Sequence, residues 1–315
     1  LTSDGGAGGR ESGVTPSVTK GDLVRDLRAL GIGPGDLLNA KVSLKSIGHV
    51  VGGAETLLEA ILEAISPGGT VITDSFVPVY PLPLSPENAA KVSDSQTRSY
   101  AGALANAVVR HPKAVRSTHP VQKFAAIGAR AKEFLEPHRP GSYAYDVLRV
   151  MAESGGRNLK IGSEEKNVGV GTTHVAIGLL KLRQKRLPAG VNYVDATGRI
   201  ATFERDWAGA CARGLLNFVP FYRTAGAVVS EGRVGLAETK ITDMKQTLAV
   251  ELDILRKDPS FLTCKDQTCV DCRLGWEFSP GTFLGVALEN LRQGRLSAAR
   301  YAFRVRQSRN YLPPL

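Results

Sequence analysis

The chain has 315 residues, 43% of them apolar and 22% charged. That balance can bury a large core and excludes a disordered chain, and no apolar run is long enough to span a bilayer. Lys and Arg exceed Asp and Glu by ten, so the surface attracts anions, and a phosphate-bearing cofactor or an acidic carrier protein suits that field. The basic residues Arg292, Arg295, Arg300, Arg304, Arg306 and Arg309 concentrate the excess near the end. Without a nucleic-acid motif they read as a solvated helix face rather than a nucleic-acid site. No basic-then-apolar signal segment opens the sequence, and a cytoplasmic location is expected.

Residues 1–18 are rich in Gly, Ser and Thr and read as a flexible tail. Thr19 to Leu30 predicts a helix with Leu23, Val24, Leu27 and Leu30 on one stripe and Thr19 as N-cap. A turn over 31–36 leads into a buried strand from Leu37 to Leu44. Gly52-Gly53 opens a second helix that runs through Ile65, and Thr70 to Phe76 predicts a β-branched strand. The Pro-rich segment from Pro78 to Pro86 is long enough for a lid or binding loop. Tyr100 to Arg110 predicts a helix, Phe124–Ile127 and Asn158–Ile161 strands, and Thr173 to Lys185 an amphipathic helix. Short strands follow at Asn192–Asp195, Arg199–Phe203 and Ala227–Glu231, then a helix from Met244 to Arg256. The expected fold class is α/β. It is a three-layer sandwich with a mixed, mostly parallel sheet, helices on both faces and a small antiparallel part in the second half.

The stretch from Asn167 to His174 carries the chemistry. Glycines and hydroxyl residues precede His174 at a strand mouth and helix start, where free N–H groups meet a ligand. A neutral imidazole there can take a proton from an incoming nucleophile near neutral pH. Cys264, Cys269 and Cys272 cluster within nine residues. In a reducing compartment this spacing suits structural zinc, with Cys211 or an outside residue as fourth ligand. A cluster of reduced thiols is the plain alternative. Cys211, beside Arg213, also permits an activated thiolate paired with His174.

Several ordered blocks are similar to the aminoglycoside 3-N-acetyltransferase family. They are Leu27 to Asp36, Ser43 to Gly48, Val51 to Thr56, Pro67 to Val71, Arg116 to Pro120 with Phe124 to Gly128, Gly171 to His174, and Gly235 through Leu248. The resemblance covers roughly residues 19–258. It leaves residues 259–315 as an extension, bearing the cysteine cluster and the basic tail, on a single domain over 19–315.

The resemblance implies acyl transfer, with acetyl the expected group, from acetyl-CoA or another acyl-CoA to an amine of a small molecule. It implies His174 as general base, Glu204 as the acid that orients it and Asp206 as reserve. It implies a cofactor groove of Ser43, Leu44, Ser46, Ile47, Gly53, Ser117, Thr118 and His119. Two departures bear on the acceptor. Family members that act on aminoglycosides commonly carry a histidine two residues before the Ser-Leu pair, and here that place is Lys41. They usually carry a glutamate three residues after the histidine, and here that place is Ile177. Losing an acidic group favours a less cationic acceptor, such as a biosynthetic or antibiotic-like intermediate.

Overall fold

The computed structural model describes residues 17–163, 169–185, 187–207 and 209–307. Most of the expected tail, together with Asn167, Val168, Ala208 and Arg309, lies outside the described residues. Ser17–Val18 pairs in parallel with His49–Val50, so the last two residues assigned to the tail belong to the fold.

Helix α1 (Lys20–Ala29) begins with a capping box in which the Thr19 and Asp22 side chains each bond the other's backbone N–H. Strand β1 (Leu37–Val42), α2 (Gly53–Ile65) and β2 (Thr70–Asp74) follow. Next come α3 (Ala103–Arg110), β3 (Val115–Arg116), β4 (Phe124–Gly128), α4 (Ala131–Leu135), α5 (Asp146–Glu153) and β5 (Arg157–Ile161). Then come α6 (Thr172–Leu179), β6 (Ala189–Val194), β7 (Ile200–Glu204), β8 (Val228–Val234), β9 (Ala237–Asp243) and α7 (Met244–Lys257). The extension holds α8 (Val270–Leu274), α9 (Phe283–Arg292) and α10 (Leu296–Gln307).

The main sheet has seven strands in the order β8-β9-β5-β1-β2-β4-β3. Alternate residues enter opposite cores, as the pleat requires. Leu38, Val71, Ala125 and Leu159 face α1, α2 and α3, whereas Leu37, Ile72, Phe124 and Ala126 face α4 to α7. The expectation of a mostly parallel sheet is corrected. Only β1–β2 and β1–β5 pair in parallel, and the other four pairings are antiparallel. Alternating strands and helices suggest crossovers throughout. Short returns such as Gly235-Leu236 between β8 and β9, which allow only antiparallel pairing, instead build both flanks.

The antiparallel part of the second half is present. Strands β6 and β7 form a hairpin closed by Asp195, whose carboxylate accepts from Thr197 and Arg199 N–H. Tyr80–Pro81 and Val92–Ser93 add to β6, so the Pro-rich segment is strapped to this small sheet. Helix α6 is shorter than its pattern. It stops in a Schellman arrangement, Leu182 N–H to Ile177 and Lys181 N–H to Gly178, with Lys181 at φ 55° where glycine is usual. None of the described helices is long and apolar enough to cross a membrane.

Candidate active site

The two parallel pairings share β1, with β2 on one side and β5 on the other. Connections therefore diverge at β1, and the crevice beyond the carboxyl ends of these strands is where open α/β sheets bind ligands. A cavity of about 450 Å³ lies there. It is lined by Lys41 and Ser43 from the end of β1, Asp74 from the end of β2, and Ser163 after β5. Phe76 and Tyr100 close its far wall. Lys41 Nζ and an Asp74 carboxylate oxygen are 2.9 Å apart, both largely buried.

Helix α6 begins at this cavity. A Cβ on Gly171 would lie 2.5 Å from Leu148 and 3.3 Å from Lys41 Nζ, so only glycine lets the helix start sit against the strand end. Beneath it, Asn39 Nδ2 donates to Asn158, and Asn158 Nδ2 to Thr242, a buried ladder across β1, β5 and β9. Thr173 Oγ1 and Tyr222 Oη both donate to Glu251 Oε1 at 2.6 Å, and the Thr172 and Thr247 hydroxyls bond at 3.0 Å. The first turn of α6 is thereby pinned to α7. Burial pushes the Glu251 carboxyl up to about 7 against the pull of those hydroxyls.

His174, half-buried, stacks on Tyr145 with ring centres 4.3 Å apart and planes within 12°. Tyr143 Oη donates to the His174 carbonyl at 2.6 Å. Tyr145 meets Phe76, a cavity-lining ring, edge-on at 6.4 Å. The imidazole is thus held by aromatic packing, one ring removed from the cavity-lining Phe76, and does not itself line the cavity.

Glu204 is exposed and pairs with Gly190 along the small hairpin. Asp206 is exposed as well; burial first and then the Asp206 charge raise the Tyr143 phenol, and desolvation raises the Asp206 carboxyl itself. The structure therefore brings the reserve acid, rather than the first choice, next to the group that holds His174. Asp206→Asn is expected to lower turnover about tenfold and Glu204→Gln less than about threefold, because only the former alters the field beside Tyr143. Steady-state rates of the two variants check this, and the reverse order removes Asp206 from the site.

The expected cofactor residues separate into two groups. Ser43 and Ser46 line the cavity, with their hydroxyls 2.7 Å apart. Leu44 lines an adjoining groove of about 750 Å³ with Ala54, Arg98, Asn106 and Arg110, and Tyr100 is common to both. Gly53 is the first residue of α2, next to Ala54 in that groove. Ile47 is a correction, since its side chain is fully buried in the apolar core and its carbonyl accepts from Leu236.

The turn at Ser117, Thr118 and His119 lines neither of these two spaces. Ser117 Oγ accepts from Phe124 N–H, and Thr118 N–H donates to the His138 carbonyl. His119 is sealed between His138, Phe203 and Trp207. Its Nδ1 accepts from Val121 and Gln122, and burial lowers its pKa to about 2.

The four cysteines gather at one place, with sulfurs all within 4.8 Å of one another. Cys211 Sγ lies 3.8 Å from Cys269 Sγ, which turns this thiol toward the cluster and counts against an acyl-enzyme shared with His174. Asp74, Phe76, Tyr100, Tyr143, Tyr145 and Glu251 escape the sequence reading. The Tyr143-Tyr145 pair before a helix is the one local signal available.

A mixed sheet with its crevice at the β1 switch point and a histidine at the mouth of the following helix defines an α/β transferase-like architecture. The family model for aminoglycoside 3-N-acetyltransferase matches residues 40–256, and the chain belongs to that family. It is 34% identical over 165 residues to aminoglycoside N(3)-acetyltransferase VIII of Streptomyces fradiae, covering 46% of this chain and 56% of that protein. It is 28% identical over 256 residues to aminoglycoside N(3)-acetyltransferase IX of Micromonospora chalcea, covering 72% and 89%. The chain thus spans little more than half the length of some curated relatives it matches. Among solved structures, AAC-IIIb bound to CoASH superposes with a TM-score of 0.67 at 24% identity, over 77% of this chain and 97% of that one. Acetyltransferase AAC(3)-Xa superposes at 0.65 and 25% identity, over 76% and 93%.

Proposed function

We propose that this chain is an acetyl-CoA-dependent N-acetyltransferase acting on an amine of a small molecule by direct transfer. The observation that carries the reading is the placement of His174, pinned at the start of α6 and stacked on Tyr145, whose neighbour Phe76 lines a cavity that shares Tyr100 with a second groove. That groove fits the donor. Helices α2 and α3 both begin at it and Arg98 lines it, so N–H groups and a guanidinium face the place where a diphosphate would lie, with Arg110 paired to Glu55 at its edge. A CoA-bound relative of the same fold supports this.

The acetyl thioester supplies an activated carbonyl. His174 takes the proton that the amine loses as its nitrogen bonds to that carbon, and it returns the proton to the departing thiolate sulfur. Tyr143 fixes the segment that bears the imidazole through its bond to the His174 carbonyl. The Ser43 and Ser46 hydroxyls line the space where the carbonyl oxygen gains charge, and they can donate to it.

The acceptor differs from the polycationic sugars bound by some structural relatives, sisomicin and gentamicin. Here Lys41 occupies the cavity and already neutralises Asp74, and Ile177 is buried in the core. A cavity without net negative charge favours an acceptor with one amine, or with an acidic group beside it. Donor transfer from an acidic carrier protein is the second reading, motivated by the net charge of +10.

The test incubates the purified chain with acetyl-CoA and a panel running from sisomicin to mono-amino and acidic amino sugars, with products read by mass. Acetylation of the less cationic members at the higher kcat/KM is expected, together with calorimetric binding of acetyl-CoA. No heat and no acetylated product with any amine would overturn the reading.

A further inference from the structure

We propose that Cys211, Cys264, Cys269 and Cys272 form a four-thiolate structural zinc site that fastens the C-terminal extension to the active-site side of the fold. This goes beyond the acetyltransferase reading and holds whatever the chain acetylates.

The geometry is that of ligands around one ion. A zinc–sulfur bond of about 2.3 Å in a tetrahedron sets neighbouring sulfurs about 3.8 Å apart. Cys211 and Cys269 stand at 3.8 Å, and the whole set lies within 4.8 Å. A disulfide requires bonded sulfurs at about 2 Å, and all four cysteines are free. An iron–sulfur cubane places a separate iron behind each thiolate, so its sulfurs stand much farther apart than one shared ion allows. Four thiolates without hard oxygen or imidazole donors select a borderline-soft cation of tetrahedral preference.

The surroundings complete the site. Cys264 N–H donates to Cys272 Sγ at 3.3 Å, the backbone-to-sulfur bond that orients a ligating thiolate. Four thiolates and one divalent ion leave excess negative charge. The buried Arg273, which bonds the Asp266 and Cys264 carbonyls, supplies positive charge beside it, and Arg213, two residues from Cys211, is paired with the Asp266 carboxylate. Cys264 and Cys272 are buried, and Cys211 and Cys269 are half-buried.

The chain origins of the ligands indicate what the metal does. Three come from residues 264–272, beyond the matched family segment that ends at residue 256. The fourth, Cys211, comes from the loop that leaves Asp206. The same seam is close-packed, because a Cβ on Gly214 would lie 2.0 Å from the Leu262 carbonyl oxygen. Helices α8, α9 and α10 share only a small core of Val270, Val286, Ala302 and Val305. Leu262 and Trp276 of the extension are also buried in the main core, and a metal cross-link adds a second anchor at the end that bears α8 to α10.

The test is metal analysis by mass spectrometry of the full chain purified without chelator, with one zinc per chain expected. Blocking the thiols with an organomercurial should release that zinc to a chromogenic chelator. Replacing it with Co²⁺ should give the intense visible bands of a tetrahedral tetrathiolate. Removing it should lower the thermal midpoint, and zinc alone should restore it. Cys269→Ser should lose the metal. Because that variant can fail to fold, the decisive measurement is a zinc titration of the reduced wild-type chain. A chain that contains no metal and takes up none, with four thiols equally reactive with and without zinc, overturns the proposal. So does one iron per chain in place of zinc, or a Cys211–Cys269 disulfide.

Discussion

His174→Ala is expected to reduce kcat and kcat/KM together by about 10²–10⁴, with acetyl-CoA binding changed less than about threefold. The parallel loss follows because the imidazole acts only as the amine gives up its proton, whereas the donor groove lies on the far side of Tyr100. The loss should shrink at high pH. A deprotonated acceptor attacks without first losing a proton and can shed its N–H proton to solvent base, so an alanine variant regains rate as pH rises while the wild type changes less. The substitution also removes the ring stacked on Tyr145. His174→Gln, which keeps most of the bulk, separates packing from proton transfer, since its melting temperature should match the wild type while its rate does not. An alanine variant within about threefold of wild-type kcat at neutral pH sinks the assignment.

Glu251→Gln is expected to change the pH dependence of stability. The Glu251 carboxyl sits at about 7 in the fold and at about 4.3 in an unfolded chain. Between those values the folded state holds a proton that the unfolded state has lost. Stability is therefore full below about pH 4 and declines as pH rises through about 7. The neutral amide does not titrate. Relative to the wild type, the variant should gain roughly 2–4 kcal/mol between about pH 4 and pH 8. Urea unfolding of both proteins at the two pH values measures the difference, and equal pH slopes would remove Glu251 as the source. The effect reaches the site, because Glu251 holds the Thr173 hydroxyl one residue before His174.

Much of the fold is legible in the sequence because its signals are local. The Thr19 cap of α1, the apolar face of α2 and the β-branched run of β2 each lie within one element. Their predicted bounds fall within a residue or two of those in the structure. Helix α6 is shorter than its pattern because Lys181 ends it in a conformation that the residue type does not announce. Strand direction escapes the pattern because it depends on where the chain returns, which periodicity does not encode. The short extension helices share a small apolar core, which their sequence pattern shows only weakly.

The candidate site divides along the same line. Gly171 to His174 can be found because small residues before a helix histidine form a contiguous pattern. Tyr145, Asp74 and Glu251 cannot, because they reach α6 from elsewhere in the chain; Glu251 meets Thr173 across 78 residues. The three clustered cysteines are visible from spacing, and folding brings Cys211 to them as the fourth member.

By itself the sequence determined helix starts, strand composition, a histidine at a helix mouth, the clustered thiols and the family. Only the tertiary structure decided the antiparallel flanks, the burial of His119 and Ile47, the gathering of Cys211 with the other cysteines, and the pairing of Lys41 with Asp74. The physical reason is one of range. Capping, alternation and helical periodicity act over a few residues, whereas burial and charge pairing depend on which distant segments the packed core brings into contact.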